Sequence, residues 1–288
     1  MKWRGRRGSR NIVDRRRSGR GRGAAVGGGV GGLGLIAIVL IGWMLGVDVT
    51  PLLGGLTGDG GAGQGQAHEP TAADERAAQF VSVTLADTED VWSRIFIEQV
   101  DARYEPAELV LFKGATQSAC GGASAVTGPF YCPVDERIYL DTGFFTTLEQ
   151  RLGAGGDFAA AYVVAHEVAH HVQQELGILA EANRTRARMN EADSNAVSVR
   201  IELQADCYSG IWARAAEAQF GSIEPGDIAE AMNAARRIGD DALQRGSGGA
   251  VRPETFTHGT SDQREAWFAR GYESGDIVAC DTFGTDRL

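Results

Sequence analysis

Between Asp157 and Leu176 the residues Phe158, Tyr162, Ala165, Ala169, Val172 and Leu176 recur at alternating steps of four and three, a spacing that specifies one helix with one buried face. Asp157 offers a cap at its start and Gly177 a stop at its end. This helix carries His166-Glu167-Val168-Ala169-His170, which sets two imidazoles one turn apart on a common face. Ring nitrogens at i and i+4 can converge on one zinc ion about 2 Å from each, as i and i+2 cannot. Glu167, on the adjoining edge, is then within reach of a water on that ion. With five His in 288 residues the pattern is rare by chance, although a helical core could also hold both His by ordinary hydrogen bonds.

A catalytic zinc site takes three protein ligands and leaves a fourth position for water, so a third ligand is required. The extended metzincin spacing would put Gly and His where this chain has Gln173 and Leu176, which excludes that class. Glu202 is the better candidate. It lies in Ile201-Glu202-Leu203-Gln204-Ala205-Asp206-Cys207, where Glu202 and Asp206 share one face of an otherwise apolar helix. Buried carboxylates need a partner; Glu202 can find one in zinc, and Asp206 can accept the outer ring N–H of a ligand His. An exposed acidic face is the alternative for this pair. His258 stands in a Gly-containing turn before a capped helix, which makes it a candidate donor to the oxyanion of an acyl-transfer reaction or an ordinary loop His. His171 points about 100° away from His170 and is expected to pack rather than ligate. His68 falls in a glycine-rich stretch and has no evident role.

Elsewhere the patterning is mostly helical with a small strand component. Ala72 to Gln99 reads as two helices, or one interrupted at Asp87–Asp90. Glu108–Phe112 and Arg137–Asp141 are the strand candidates. Further helices are expected from Ser194 to Gln219, from Pro225 to Gln244 and from Ser261 to Glu273, the last opened by a Thr260/Gln263 capping box.

The N-terminal quarter has a different character. Ten of the 28 Lys and Arg lie in residues 1–23 beside a single acid, Asp14, leaving 18 bases against 37 acids beyond. Residues 24–47 carry no charge and are long enough for a transmembrane helix, and 48–70 form a glycine-rich tether. By the positive-inside rule residues 1–23 are expected in the cytoplasm, and residues 71–288 outside it as one catalytic domain. An Arg-rich start also suits nucleic acid, but beside an apolar run a topology signal helped by anionic lipid is the simpler account. The letters Gly27-x-Gly29-x-x-Gly32 lie in this run with no strand before them, so they do not mark a dinucleotide site, and Gly28 and Gly32 could pair helices. The four cysteines, Cys120, Cys132, Cys207 and Cys280, all fall in the outer part, where an oxidising compartment would let them pair. Three connectivities are possible; joining Cys120 to Cys132 closes a short loop and leaves Cys207 with Cys280.

An HExxH helix followed by an ExxxD helix resembles the gluzincin arrangement of zinc peptidases. More narrowly, the chain resembles the bacterial family of putative neutral zinc metallopeptidases. The segments that carry this likeness are Trp3 to Arg7 with Asn11, Asp14, Arg15 and Arg16; Gly128 to Pro133; His166 to Val172; Glu202 to Cys207; Gly239 to Asp241; and Thr257 to Gly259 through Trp267-Phe268. The resemblance implies an α+β, zincin-like domain behind a single membrane-spanning helix. It further implies one zinc per chain on His166, His170 and Glu202, with Glu167 as catalytic acid/base and a peptide or protein as substrate. It also implies that the strand Arg137–Asp141 pairs with extended substrate, and it leaves oligomeric state open. The rival readings are a zinc-binding envelope scaffold without activity and a zinc hydrolase of non-protein amides.

Overall fold

The computed structural model describes residues 1–17, 69–124, 127–150 and 152–288. The apolar run 24–47, nearly all of the tether and His68 lie outside the described residues. A four-stranded sheet packs on a group of helices. In chain order the strands are β1 (Ile12–Asp14), β2 (Glu108–Phe112), β3 (Ala115–Ser118), β4 (Gly121–Ser124), β5 (Phe130–Cys132) and β6 (Arg137–Asp141). The helices are α1 (Ala72–Ile95), α2 (Phe144–Gln150), α3 (Asp157–Glu175), α4 (Ile178–Arg186), α5 (Glu191–Phe220), α6 (Asp227–Arg237), α7 (Asp240–Gly246) and α8 (Ser261–Ser274). The main sheet runs β1-β2-β6-β5, parallel across the first two junctions and antiparallel at the last, while β3 and β4 form a separate hairpin. This mixture of helices with a small sheet agrees with the α+β class.

Both expected strands form, and Asp141 closes β6 by accepting from the Gly114 and Gly143 amides. β6 lies between β2 and β5, however, and is bonded by β2 along its whole length and by β5 along Arg137–Tyr139. The expectation that Arg137–Asp141 pairs with substrate is therefore corrected for Arg137–Tyr139: a segment bonded on both sides has no backbone groups left to offer. β1 and β5 end the sheet, and among the described residues each has one unpaired edge.

The largest surprise is the N-terminus. β1 bonds in parallel to β2, with Ile12, Val13 and Asp14 opposite Leu109, Val110 and Leu111. Trp3 is buried against Phe80, its indole N–H donates to Asp157, and the Met1 amine lies 3.1 Å from both Asp227 and Glu224. The arginines read as a topology signal serve the fold instead. Arg6 binds Asp87 at 2.6 Å, Arg7 binds Asp90 at 2.8 Å, and Arg16 spans Asp14 and Glu75. Arg6 and Arg7 neutralise the acidic stretch Asp87–Asp90, and α1 runs unbroken where an interruption was an alternative, ending in a π turn, Phe96–Val100.

Residues 1–17 and 69–288 thus belong to one body. A chain crossing a bilayer once between them could not hold β1 in register with β2. The expected division, residues 1–23 in the cytoplasm and 71–288 outside, is incompatible with this pairing. Among the described residues no helix is long and apolar enough to cross a membrane.

Other boundaries shift for local reasons. Asp157 lies inside α3 rather than capping it; Gly156 holds the cap position and Glu230 accepts from the Phe158 amide. α5 starts earlier than expected, capped by Asn190. The helix expected from Pro225 to Gln244 is two, α6 and α7, broken at Gly239, where a Cβ would fall 2.4 Å from the Ser261 nitrogen. α5 and α8 meet at backbone contact, since a Cβ on Gly271 would stand 1.8 Å from the Cys207 carbonyl oxygen and one on Gly210 would stand 2.1 Å from that of Phe268. Disulfides join Cys120 to Cys132 and Cys207 to Cys280, the second tying α5 to the turn Ile277–Cys280.

Candidate metal centre

α3 is apolar on almost every side, with Phe158, Tyr162, Val164, Val168 and Val172 all buried, and it runs through the middle of the molecule against α5, α6 and α1. Burial on this scale holds the helix rigid, and so fixes the two imidazoles that project from it. His166 and His170 stand with ring centroids 4.8 Å apart and their planes nearly perpendicular. Glu202 reaches across from α5, with one carboxylate oxygen 3.0 Å from His166 Nε2 and the other 3.5 Å from His170 Nε2. One donor atom from each of the three residues lies within 4.8 Å of the others. Two imidazole nitrogens and one carboxylate in such proximity suit a zinc ion with one position left open.

The groups behind these donors are also in place. Asp206, one turn beyond Glu202, is fully buried and stands 2.9 Å from His166 Nδ1. It accepts from Arg264 at both oxygens, 2.8 and 3.0 Å, and from the Tyr162 hydroxyl. Gln173 Oε1 lies 2.9 Å from His170 Nδ1, and the Gln173 amide is itself fixed by donating to the Ile201 carbonyl and Gln204. Each imidazole therefore has a polar partner on the nitrogen that faces away from Glu202, the arrangement that orients metal-ligating histidines.

Electrostatics follow from the same contacts. Burial pushes the Glu202 carboxyl up, but the charges of His170, His166 and His258 hold it well below the usual range. Burial disfavours the charged form of His166, yet Asp206 and Glu202 outweigh it and raise the imidazole to about 10. Glu167 is buried beside this cluster, and burial raises its carboxyl against the opposing pull of His170 and His166.

A cavity of about 470 Å³ opens over the cluster. His166, Glu167, His170 and Glu202 line it on one side, Phe130 and Tyr131 of β5 on another, and His258 on a third. His258 is fixed by Asp240 at the start of α7: the carboxylate lies 3.1 Å from His258 Nδ1 and accepts from the amides of Thr257, His258 and Gly259. Burial acts against its charge, but Asp240 and Glu202 raise its pKa overall. His171 is buried away from the cavity, between the Tyr131 hydroxyl and the Glu105 carbonyl, as expected for a packing residue.

The structure thus brings His166, Glu167, His170, Glu202, Asp206 and His258 to one place. Sequence reasoning missed Arg264, Tyr162, Gln173 and Asp240. Gln173 and Tyr162 carried a signal, standing three residues after His170 and four before His166 on the same helix. Asp240 lies in a segment that contributes to the family likeness. Arg264 reaches the site only through the contact of α8 with α5, which no local pattern reveals.

Residues 1–283 match the family described as putative neutral zinc metallopeptidase. The chain is 45% identical to uncharacterized protein YpfJ of Escherichia coli K12 over 291 aligned positions, covering 99% of each. It is 43% identical to uncharacterized protein Rv2575 of Mycobacterium tuberculosis H37Rv over 195 positions, 64% of this chain and 65% of that one. No solved structure matches. The match takes in the N-terminal segment that completes the sheet as well as the helices that assemble the histidine–glutamate cluster, and on it this chain belongs to the putative neutral zinc metallopeptidase family.

Proposed function

We propose that this protein is a zinc-dependent peptidase that hydrolyses peptide bonds in the cavity above His166, His170 and Glu202. The observation that carries the reading is the convergence of those three donors beside Glu167, a buried carboxylate on the cavity wall. A zinc ion held by the three residues would acidify a water toward neutral pH and polarise the scissile carbonyl.

The remaining chemistry belongs to the chain. Glu167 takes the proton from the attacking water at its carboxylate and returns it to the leaving amine, a task suited to a carboxyl whose affinity for protons burial has raised. His258 faces the same cavity; Asp240 occupies Nδ1, which leaves Nε2 to donate to the developing oxyanion. β5 offers its unpaired edge beside the cavity, and an extended peptide can add there as a further strand. A zinc site with a purely structural role would have no use for Glu167, which favours an enzyme over a scaffold.

We place the body outside the cytoplasm, because two disulfides persist best in an oxidising compartment. If residues 24–47 hold the protein to a membrane, residues 1–17 must lie on the same side as the body. The test of activity is a peptide library incubated with the zinc-loaded protein. Cleavage that disappears in Glu167→Ala with zinc retained is the expected result, and cleavage unchanged by that substitution contradicts the assignment.

A further inference from the structure

We infer that Arg186, with Asn183, forms a subsite that takes a carboxylate of the bound peptide, either an acidic side chain or the C-terminal carboxylate. The inference rests on the reading of the cavity as the peptide site and adds a chemical preference to it.

α4 forms one wall of the cavity. Leu179, Asn183 and Arg186 recur at steps of four and three on this helix, and all three line the space. Leu179 is buried and seats the helix, so the other two are held facing the cavity. Asn183 and Arg186 thus present an amide and a guanidinium side by side on the wall.

The other cationic groups of the lining are already matched. Arg264 is taken by both oxygens of Asp206, and His258 by Asp240. His166 and His170 each stand within 3.5 Å of Glu202. Arg186 is different. Its Nε donates to Ser194 Oγ at 3.3 Å, and among the described residues no carboxylate lies within ion-pair distance of it. It is half-buried, and burial pulls its pKa down, with only the charge of Glu202 acting in the other direction.

A partly desolvated cation whose two terminal nitrogens have no hydrogen-bond partner among the described residues is costly unless an anion completes it. The planar fork of a guanidinium matches a carboxylate in two parallel hydrogen bonds, and the Asn183 amide can add a third donor. The anions of an unmodified peptide, an acidic side chain and the C-terminus, are both carboxylates, which is the shared chemistry the subsite would read.

Binding tests this independently of turnover. The full chain carrying Glu167→Ala, loaded with zinc, is titrated with four probes: acetyl-trialanine as the free acid, its C-terminal amide, and the amides of acetyl-Ala-Glu-Ala and acetyl-Ala-Gln-Ala. At least tenfold tighter binding is expected for one carboxylate-bearing probe over its neutral counterpart, and which pair shows it names the source. The preference should vanish in Arg186→Gln and persist in part in Arg186→Lys, with thermal unfolding showing both variants folded. Equal affinities within both pairs, no saturable binding of any probe, or a preference that survives Arg186→Gln would each overturn the assignment; the last would mean that the carboxylate goes to the metal. Zinc content and Glu167-dependent cleavage report separately on the peptidase reading.

Discussion

Arg264 grips both carboxylate oxygens of Asp206, and Asp206 stands 2.9 Å from the Nδ1 of His166, so a side chain on α8 fixes an imidazole on α3 through a carboxylate on α5. Asp206→Asn should weaken zinc binding by about 10- to 100-fold, because a neutral amide orients and polarises the imidazole less well, and should also lower stability, because it leaves the buried Arg264 guanidinium without its anion. Arg264→Met should likewise lower stability by about 3–5 kcal/mol, since it strands a buried anion. Denaturant unfolding and zinc titration measure the two effects. Native stability in Arg264→Met would show that Asp206 does not depend on its guanidinium.

His258 is held by Asp240 and faces the cavity. Removing one donor to an oxyanion costs roughly 10²–10³ in kcat in enzymes of acyl transfer. His258→Ala should therefore cut kcat on a cleaved peptide by that order while zinc content stays at the native level. An unaltered kcat removes His258 from the reaction.

Asp74 anchors the start of α1. Burial raises its carboxyl, but Lys113 at 2.7 Å, Thr142 at 2.7 Å and Thr71 hold it far below the usual value of 3.8. Because the folded pKa is depressed, the stabilisation is fully present above the unfolded pKa and is lost as pH falls through the folded one. Asp74→Asn should cost about 2–3 kcal/mol at pH 7, and the gap to the native protein should narrow below about pH 4. Urea unfolding at pH 7 and pH 3 measures it; an equal gap at both would mean that the charge on Asp74 contributes nothing.

The pairing of β1 with β2 fixes a relationship across the apolar run. All four native cysteines are in disulfides, so Arg17→Cys and Val278→Cys, both at exposed positions, give clean single thiols. A membrane-impermeant maleimide applied to intact cells should label both or neither. Labelling of only one would place the two ends on opposite sides and contradict the sheet.

Much of the site was legible because helix periodicity fixes which residues share a face. His166 and His170 on α3, and Glu202 and Asp206 on α5, meet as their spacing required, and the strands Glu108–Phe112 and Arg137–Asp141 have the expected ends. The rest depended on long-range contacts. Arg6, Arg7 and Arg16 looked like a flanking charge cluster because their partners, Asp87, Asp90 and Glu75, lie some 60 to 80 residues further along the chain. Ile12–Asp14 is too short to show a strand period, and only its pairing with Leu109–Leu111 makes it one. β6 looked like a substrate-binding strand because nothing in Arg137–Asp141 shows that β2 bonds along one edge and β5 along Arg137–Tyr139 of the other.

The central claim is that His166, His170 and Glu202 hold one zinc ion. Elemental analysis of the purified full chain, beside His166→Ala and Glu202→Gln, tests it most directly. One zinc per native chain, lost or weakened by an order of magnitude or more in both variants, is the predicted result. A folded native protein that stays free of zinc after zinc is supplied, or a Glu202→Gln variant with native zinc content and affinity, would contradict it.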